Sequence, residues 1–387
     1  MNSNKVDRIL SFDGGGIKGL FSAYFMKFFC QDAGIPGNKI HEHFSVISGT
    51  SIGGIQALAY ATGYSPDDMI ELFLSQQNPL NDGSSNKNSI FYPPVSTIQK
   101  INTILYGDQT WYQNSNLKAL LNTKFGQAKM FQLKTNVLIP TVKIYTTQIP
   151  DVGTDIKAYR PTLYSNMRFN GLEGQNYLVQ NVALATSVAP IYFPAVNIPE
   201  DTTPNSQFID GGVFQNNPTA LEYALGNALN PMSKRVCVLS VGTGLGTVGL
   251  FDPVPVPPPT LLQEFFNEFK EFLISQKNYT KRKTDLLVNS IIPNFENIYL
   301  LLDLLSLGIS GPQEAINKML SWLSLYGAKI SNKDLFYYRF NTIYNPEQNT
   351  ELDSTTADSL NYIKTAAEQQ YNRDALKIQA FIQKCKF

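Results

Sequence analysis

The amino-acid sequence predicts an α/β fold in which helices pack on a mainly parallel sheet. A buried strand at 8–13 leads through a glycine cluster into an apolar segment with helical spacing, and a strand at 44–48 leads through a second glycine-rich turn into an Ala-rich helix. Strand–turn–helix units in succession are typical of parallel sheets, because parallel strands need a crossover connection. Two further apolar runs, at 135–147 and 236–241, predict additional central strands.

The chain divides by composition into four parts. We expect a core at 7–250, a proline-rich linker at 251–260, a helical insertion at 261–330, and a C-terminal strand and helix at 331–387 that complete the core. The linker, FDPVPVPPPT, is expected to be semi-rigid because proline fixes φ and cannot donate to a sheet. The last strand is predicted to begin at Leu335 and the last helix to cover 355–385.

The helical insertion is predicted to serve as a lid, a membrane contact or a partner contact. Its segment 261–274 places leucines and phenylalanines on one face and glutamates mostly on the other, and 298–309 is apolar nearly all round. Such faces can enter a lipid interface. Packing against the core or a partner subunit is the commoner fate of an apolar helical face, and we favour it.

Composition argues against two classes of function. The 387 residues include 31 Lys plus Arg and 31 Asp plus Glu, so the chain lacks the basic excess typical of a nucleic-acid binder. The three cysteines, Cys30, Cys237 and Cys385, are far apart, and the two histidines, His41 and His43, are separated by one residue. These spacings give no zinc set, and we expect no metal or other cofactor.

The expected location is the cytoplasm. The cysteine spacings give no disulfide framework, which favours a reducing compartment. The first residues, MNSNKVDRIL, lack the apolar core of a signal peptide, and no apolar run is long enough to span a bilayer. Export by a route without a Sec-type signal stays open at this point.

A nucleophile turn is predicted directly after the second strand. Gly49-Thr50-Ser51-Ile52-Gly53 matches the pattern G-x-S-x-G between a strand and a helix. The small residues let the backbone turn sharply and lift the Ser51 hydroxyl clear of the sheet, at a helix N-terminus that favours developing negative charge. The alternative is a serine that only caps the helix.

The scarcity of histidine constrains the chemistry available to Ser51. A serine hydroxyl needs a base to remove its proton, and that base is usually histidine. No histidine follows Ser51, and His41 and His43 precede the strand that ends at the turn, so a strand length of roughly 17 Å separates them from it. The composition therefore excludes a Ser-His-Asp triad, and the base must be a carboxylate or a lysine.

Asp210 is the best candidate for that base. It lies in QFIDGGVFQNNP, after a short apolar run and before Gly211-Gly212, which let the backbone approach the nucleophile turn closely. A water-poor site would raise the pKa of this carboxyl and make it a stronger base at neutral pH. The alternative is an Asp-Gly turn, in which aspartate is common.

The glycine cluster DGGGIKG at 13–19 is the third candidate element. Consecutive glycine N–H groups at a strand-to-helix turn form an anion cradle, which in acyl transfer would be an oxyanion hole. The same letters match G-x-G-x-x-G, a dinucleotide fingerprint that needs an acid at a strand end about 20 residues later. Asp32 stands near that distance, but it is expected to lie in the turn DAGIPG.

Together these segments resemble the patatin-like phospholipase family. LSFDGGGIKGL is similar to the family's oxyanion segment, GTSIGG to its nucleophile elbow and DGGVFQNNP to its catalytic-Asp segment. ATSVAPIYFPA at 185–195 and LSVGTG at 239–244 resemble further stretches of the family. The resemblance covers roughly 7–246 and resumes near FYYRFN and the C-terminal helix, whereas 251–330 match nothing that we can assign.

The resemblance implies a three-layer α/β/α sandwich and a dyad in which Ser51 is the nucleophile and Asp210 the base. It implies an oxyanion hole formed by the N–H groups of Gly14, Gly15 and Gly16, with Ile52, the residue after the nucleophile, as a further donor. The residues expected to support these motifs are Asp13, Gly19, Gly49, Gly53, Gly211 and Gly212.

The activity implied by the resemblance is hydrolysis of acyl esters of membrane phospholipids or lysophospholipids. The enzyme would be of the phospholipase A or lysophospholipase type, would contact membranes peripherally, and would have no nucleic-acid partner. One alternative is the same chemistry in a latent effector that a protein or a small nucleotide activates. Another is a non-enzymatic dinucleotide- or lipid-binding module. Neither the oligomeric state nor the head-group preference follows from the sequence.

Overall fold

A computed structural model describes residues 6–95, 110–148, 155–168, 174–229, 233–245, 334–345, 348 and 350–387, with positions 316, 317, 320, 321 and 324. Within these ranges the strands are β1 (Val6–Phe12), β2 (Val46–Gly49), β3 (Asn136–Gln148), β4 (Asp155–Ser165), β5 (Gln207–Asp210), β6 (Arg235–Val241) and β7 (Asp334–Phe340). The α-helices are α1 (Gly19–Ala33), α2 (Ile40–His43), α3 (Ile52–Thr62), α4 (Pro66–Leu74), α5 (Ser115–Phe125), α6 (Val179–Ser187), α7 (Gly212–Gln215), α8 (Thr219–Leu229), α9 (Ala357–Arg373) and α10 (Ala375–Cys385).

The strands form one mixed, mostly parallel sheet. Its order is β4-β3-β2-β1-β6-β7, and β5 also pairs with β3. The central pairs β3–β2, β2–β1, β1–β6 and β6–β7 are parallel, whereas β4 and β5 run antiparallel to β3. The prediction of a mainly parallel α/β sheet is confirmed, and the four strands predicted at its centre are all present. The antiparallel edge was not predicted.

Helices cover both faces of the sheet, because alternate side chains of a strand point in opposite directions. Leu10 and Phe12 of β1 belong to a large apolar core that also contains side chains of α1, α3, α9 and α10. On the other face, Ile9 packs with Val236 and Val238 of β6, and Tyr223 of α8 covers them. The molecule therefore has the three layers of the α/β/α sandwich that the resemblance implies.

The end of the chain completes the sheet but differs from its prediction in one respect. β7 pairs in parallel with β6 along its whole length. Two helices follow where one was predicted, because Asp374 leaves the helical conformation between α9 and α10. Its carboxylate accepts hydrogen bonds from Gln370 before the break, at 2.7 Å, and from Lys377 after it, at 2.9 Å.

A disulfide joins Cys237 of β6 to Cys385 at the end of α10. The prediction that these cysteines form no disulfide is therefore wrong. Their separation of 148 residues hides the pairing from any reading of local spacing, and only the packing of α10 on the sheet brings them together. The cysteine spacing therefore no longer supports a reducing compartment. Cys30 is a buried free thiol, and burial raises its pKa to about 12.

Several predicted features lie outside the described residues. They are the linker at 251–260 and the apolar segments at 261–274 and 298–309. Where the insertion is described, Asn317 and Ser324 contact the sheet: Tyr337 of β7 donates its hydroxyl to Asn317 at 3.2 Å, and the Ser324 hydroxyl donates to the Leu335 carbonyl at 2.9 Å. Across the described ranges, no helix combines the length and the apolar character that a membrane span requires.

Candidate active site

The candidate site lies where three parallel strands end side by side. Phe12, the last residue of β1, is in register with Gly49 of β2 and Val241 of β6. The loops that leave these strands therefore begin at one edge of the sheet. Crevices at the carboxyl ends of parallel strands are the usual ligand sites of open α/β sheets.

The nucleophile turn occupies this edge as a strained bend between β2 and α3. Ser51 has φ of 57° and ψ of −127°, a conformation that residues with a side chain rarely adopt. The bend is tight: a Cβ on Gly49 would lie 2.0 Å from the Gly53 carbonyl oxygen, and a Cβ on Gly53 would lie 2.5 Å from that of Asp13. Both glycines are therefore required by close backbone approach. Ser51 itself is half-buried.

Asp210 ends β5, opposite Thr141 of β3, and its side chain is directed at the nucleophile turn. The residue is only 4% exposed, and burial raises the pKa of its carboxyl to about 6. Hydrogen bonds from the Ser51 side chain and from the Gly212 N–H oppose that rise and lower the pKa. The Gly212 N–H lies 2.6 Å from Oδ1. The structure thus brings together the two side chains that the sequence selected for catalysis.

The glycines after Asp210 permit this approach. A Cβ on Gly211 would lie 2.2 Å from the carbonyl oxygen of Pro140 in β3, and a Cβ on Gly212 would lie 3.0 Å from Oδ1 of Asn216. Any side chain at Gly211 would therefore push the Asp210 segment off the sheet. This is the physical reason for the Asp-Gly-Gly sequence at this point.

The glycine loop after β1 is held through Gly14. The Gly14 N–H donates to the Asn216 carbonyl at 3.1 Å, and its own carbonyl accepts from Thr243 Oγ1 at 2.9 Å and Asn216 Nδ2 at 3.3 Å. A Cβ on Gly14 would lie 3.1 Å from the Ser51 Cβ, so this loop lies directly against the nucleophile. In this conformation the Gly14 amide is engaged within the protein, whereas no hydrogen bond within the described ranges engages the N–H of Gly15, Gly16 or Ile52.

A buried ion pair stabilises the start of this loop. Arg339 of β7 donates from Nη1 and Nη2 to the two carboxylate oxygens of Asp13, at 3.1 and 2.5 Å. The side chains are 5% and 1% exposed. Arg339 also donates to the Ser240 hydroxyl of β6 at 2.8 Å. A bidentate arginine fixes the orientation of a carboxylate, so Asp13 anchors the glycine loop to two neighbouring strands.

A row of buried serines crosses the sheet at the next-to-last residue of each of these three strands. Ser48, Ser11 and Ser240 are in register on β2, β1 and β6. Above them lies Glu222 of α8, which is fully buried and accepts the Ser48 hydroxyl at 2.6 Å. Burial raises the pKa of Glu222 well above its ordinary value, against the hydrogen bonds from Ser48 and Ser11 that lower it. Burial therefore disfavours the charged form of this glutamate.

Neither histidine lies beside the site. His41 and His43 form part of α2, which precedes β2, and the strand separates them from the bend at its other end. Their position agrees with the sequence argument that excluded them as bases.

Asp32 does not support the dinucleotide interpretation of the glycine loop. It lies in the last turn of α1. The sequence predicts that it lies in the turn DAGIPG, and the dinucleotide fingerprint needs it at a strand end, and neither position is observed. Its carboxylate accepts hydrogen bonds from Tyr371 at 2.8 Å and Gln379 at 3.1 Å, both in the C-terminal helices. A fingerprint of this type needs the acid free to meet a ribose hydroxyl.

Five residues around the site were not selected from the sequence. They are Thr186, Asn216, Glu222, Thr243 and Arg339. Four of them lie in segments quoted for the family resemblance, ATSVAPIYFPA, DGGVFQNNP, LSVGTG and FYYRFN, so a signal for them existed. Arg339 lies in FYYRFN, and only the pairing of β7 with β6 places it near Asp13.

Comparison with known proteins identifies the family. A family model described as patatin-like phospholipase matches residues 10–223, more than half of the chain. The chain belongs to the patatin-like phospholipase family. The matched residues contain Ser51 and Asp210.

Similar proteins come from plants and bacteria. Patatin-like protein 2 of Arabidopsis thaliana is 31% identical over 261 residues, which cover 61% of this chain and 59% of the plant protein. The cGAMP-activated phospholipase of Vibrio cholerae is 32% identical over 218 residues, with 55% of each chain covered. The match thus spans little more than half the length of either relative. VipD of Legionella pneumophila is a structural match at 12% identity and a TM-score of 0.33, covering 94% of this chain and 67% of VipD.

Proposed function

We propose that this protein hydrolyses acyl esters of phospholipids or lysophospholipids through a Ser51–Asp210 dyad and an acyl-enzyme intermediate. One observation carries the proposal. A nearly inaccessible carboxyl, whose pKa burial raises to about 6, interacts with the side chain of a serine at a strained, half-buried bend, and that interaction lowers the pKa against the effect of burial. A base with a pKa near the working pH combines a useful ionised fraction with a useful affinity for the proton.

Acylation begins when Ser51 attacks the ester carbonyl. The hydroxyl oxygen forms a bond to the carbonyl carbon, and the hydroxyl proton passes to the ionised Asp210 carboxylate. The resulting tetrahedral intermediate carries its negative charge on the former carbonyl oxygen. Its collapse breaks the bond to the alcohol, and Asp210 returns the proton to the leaving oxygen. The products of this step are an acyl-Ser51 ester and a free alcohol, which in a phospholipid is the lysolipid.

The oxyanion is expected to receive main-chain hydrogen bonds. We assign Gly15 and Gly16 as donors on one side and Ile52 at the start of α3 on the other. Each donor in such a site contributes about 3 kcal/mol to transition-state stabilisation. The Gly14 amide has a different role in this conformation: through its contact with Asn216 it holds the donor loop in place.

Deacylation repeats the same steps with water. Asp210, ionised again, removes a proton from a water molecule that attacks the acyl carbonyl. The second tetrahedral intermediate expels Ser51, which recovers its proton from Asp210. The scheme uses no metal and no cofactor.

Two exposed apolar side chains favour a substrate presented by a membrane. Val213 and Phe214, in the short helix directly after Asp210 and Gly211, are 56% and 37% exposed. Apolar side chains beside the entrance of a site can enter the interfacial region of a bilayer. We therefore propose peripheral membrane contact at this edge, with the protein acting from the cytoplasm or after export by a route without a Sec-type signal.

Lipid mass spectrometry of mixed phospholipid and lysophospholipid vesicles tests the proposed function. The wild-type protein is expected to release fatty acid and the matching lysolipid or glycerophosphodiester. Ser51→Ala is expected to release none, and Ser75→Ala is the control, because its hydroxyl donates to the Leu72 carbonyl at 2.7 Å at the C-terminal end of α4. Unchanged lipids with all three proteins, in the presence and absence of candidate activators, would contradict the proposal.

A latent effector remains the second candidate, because one relative is named a cGAMP-activated phospholipase and is 32% identical over 218 residues. The chemistry would be the same, but the protein would be silent until a cyclic dinucleotide bound. The same vesicle assay with and without a panel of cyclic dinucleotides separates the two. Fatty-acid release that depends on one nucleotide would favour the effector, and release without any would favour constitutive activity.

A further inference from the structure

We propose that Thr186 is a positioning residue that holds the backbone of the nucleophile in its strained conformation and aligns Ser51 with Asp210. The inference rests on the proposed dyad and goes beyond it, because it assigns a role to a residue that does not touch substrate. Thr186 lies near the end of α6 and is fully buried.

The hydroxyl of Thr186 uses both of its hydrogen-bonding functions. Its oxygen accepts the main-chain N–H of Ser51 at 3.0 Å, and its proton is donated to the Pro140 carbonyl of β3 at 2.6 Å. The hydroxyl therefore ties the nucleophile to the strand that also pairs with the Asp210 strand. A side chain without a donor and an acceptor at this point cannot make both contacts.

The main chain of the same segment holds the other half of the dyad. The Thr186 carbonyl accepts the Gly211 N–H at 3.3 Å, and the Val188 carbonyl accepts the Asp210 N–H at 3.0 Å. One short stretch, 186–188, thus contacts the nucleophile through a side chain and the base through the backbone. A shift of this stretch changes the position of both at once.

The strain at Ser51 explains why this contact matters for catalysis. A residue with a side chain keeps a positive φ only where the surroundings enforce it. The Ser51 N–H points to Thr186 and not to an acceptor in β2, so the hydroxyl is the group that stabilises the bend on this side. Without it, we expect the bend to relax and the Ser51 side chain to leave its alignment with Asp210.

The test compares variants that differ in the hydroxyl. Thr186→Val keeps the shape of the side chain and removes the hydroxyl, and Thr186→Ser keeps the hydroxyl and removes the methyl group. Thr186→Ala and Thr186→Ser form a second pair that differs in the hydroxyl alone, which preserves the comparison if the valine variant does not fold. Thr62→Val is the control, because the Thr62 hydroxyl donates to the Ala59 carbonyl at 2.7 Å, at the far end of α3.

Steady-state hydrolysis of a soluble acyl ester is the measurement, on proteins whose folding is verified by circular dichroism. We expect Thr186→Val to lower kcat by about 10-fold to 100-fold with KM changed by less than about threefold, as misplacement of a reacting group does. Thr186→Ser should recover most of kcat, and Thr62→Val should match the wild type.

The pH profile supplies a readout that a purely structural role would not move. The hydrogen bond from the Ser51 side chain lowers the pKa of Asp210. If that contact is weakened in Thr186→Val, the pKa of Asp210 rises, and the acid limb of kcat/KM moves to higher pH. The limb should stay at its wild-type position in Thr62→Val.

Two results would overturn the inference. A kcat and a pH profile equal to wild type in Thr186→Val, or equal kcat values in the alanine and serine variants, would show that the hydroxyl does not position the nucleophile. In either case the wild type would still hydrolyse the ester, so the proposed function would stand. If the wild type itself shows neither turnover nor reaction at Ser51, the dyad fails and the role of Thr186 fails with it.

Discussion

Asp13 and Arg339 form a doubly hydrogen-bonded ion pair beneath the glycine loop, although 326 positions separate them in the chain. Asp13 begins the loop that carries the proposed oxyanion donors, and Arg339 belongs to β7, the strand added by the C-terminal part of the chain. The pair therefore couples the geometry of the site to the completion of the sheet.

Removing Arg339 is expected to destabilise the protein strongly. In Arg339→Met the Asp13 carboxylate stays buried without its charged partner, which typically costs about 3 to 5 kcal/mol. Urea unfolding followed by circular dichroism measures the loss. Arg339→Lys should not restore stability fully, because lysine cannot make the two parallel hydrogen bonds.

The control for this prediction is Arg235→Met. Arg235 and Asp334 form an ion pair at 3.8 Å whose side chains are 34% and 54% exposed. Exposed pairs contribute about 0 to 1 kcal/mol. Equal free energies of unfolding for Arg339→Met and Arg235→Met would show that the Asp13 contact does not stabilise the loop as described.

Activity is expected to require an ionised Asp210. Because burial raises the pKa of this carboxyl to about 6, kcat/KM should fall as the pH drops through about 6 and level off above it. Rates on a soluble ester from about pH 4 to about pH 9 give the profile. An acid limb near the ordinary aspartate pKa of about 4 would contradict the raised pKa of Asp210.

Asp210→Asn should lose activity and gain stability at neutral pH. The pKa of Asp210 is higher in the folded protein than its ordinary value of 3.8, so the folded protein holds this proton more tightly than the unfolded chain. The associated stability is fully present below about pH 4 and is lost as the pH rises through about 6. Asparagine does not titrate and avoids the loss, which amounts to as much as about 3 kcal/mol.

Urea unfolding of wild type and Asp210→Asn at about pH 5 and about pH 8 tests this sign. The stability difference in favour of the asparagine variant should be larger at the higher pH. A difference that shrinks as the pH rises would contradict the assignment of a raised pKa to Asp210.

Glu222→Gln should also gain stability relative to the wild type as the pH rises, and it removes no catalytic group. Burial raises the pKa of Glu222 well above its ordinary value of 4.5, so the wild type loses stability as the pH rises above that value, and glutamine removes the dependence. Thermal unfolding across the pH range is the measurement, with the exposed Glu71→Gln as control. Parallel pH dependences for wild type and Glu222→Gln would mean that Glu222 does not carry a raised pKa.

The sequence predicts the features that local pattern controls. Alternating strands and helices follow from the positions of apolar runs and glycines. The absence of any histidine after Ser51 leaves a carboxylate or a lysine as its base, and Asp210 is selected by its place before Gly211-Gly212 and by the family resemblance of that segment. The sharpness of the bend predicts glycines on both sides of Ser51, and a Cβ on Gly49 or Gly53 would overlap a backbone carbonyl oxygen.

Contacts between distant segments could not be predicted in the same way. The antiparallel edge of β3, β4 and β5 depends on which strands meet. The Cys237–Cys385 disulfide depends on α10 packing against β6. The contact between Thr186 and Ser51 joins residues that are 135 positions apart. No local sequence pattern predicts that the Thr186 hydroxyl accepts the Ser51 N–H. These features follow from the topology, which a single sequence specifies only through its family resemblance.

Reaction with a fluorophosphonate tests the central claim most directly, because the reagent forms a covalent adduct with an activated serine. Wild type, Ser51→Ala and Asp210→Asn would be treated in parallel, weighed intact and mapped by peptide mass spectrometry. The account predicts one adduct, on Ser51, in the wild type, none in Ser51→Ala, and labelling of Asp210→Asn slowed by about 100-fold or more. An adduct on another residue, or labelling of Asp210→Asn at the wild-type rate, would contradict it.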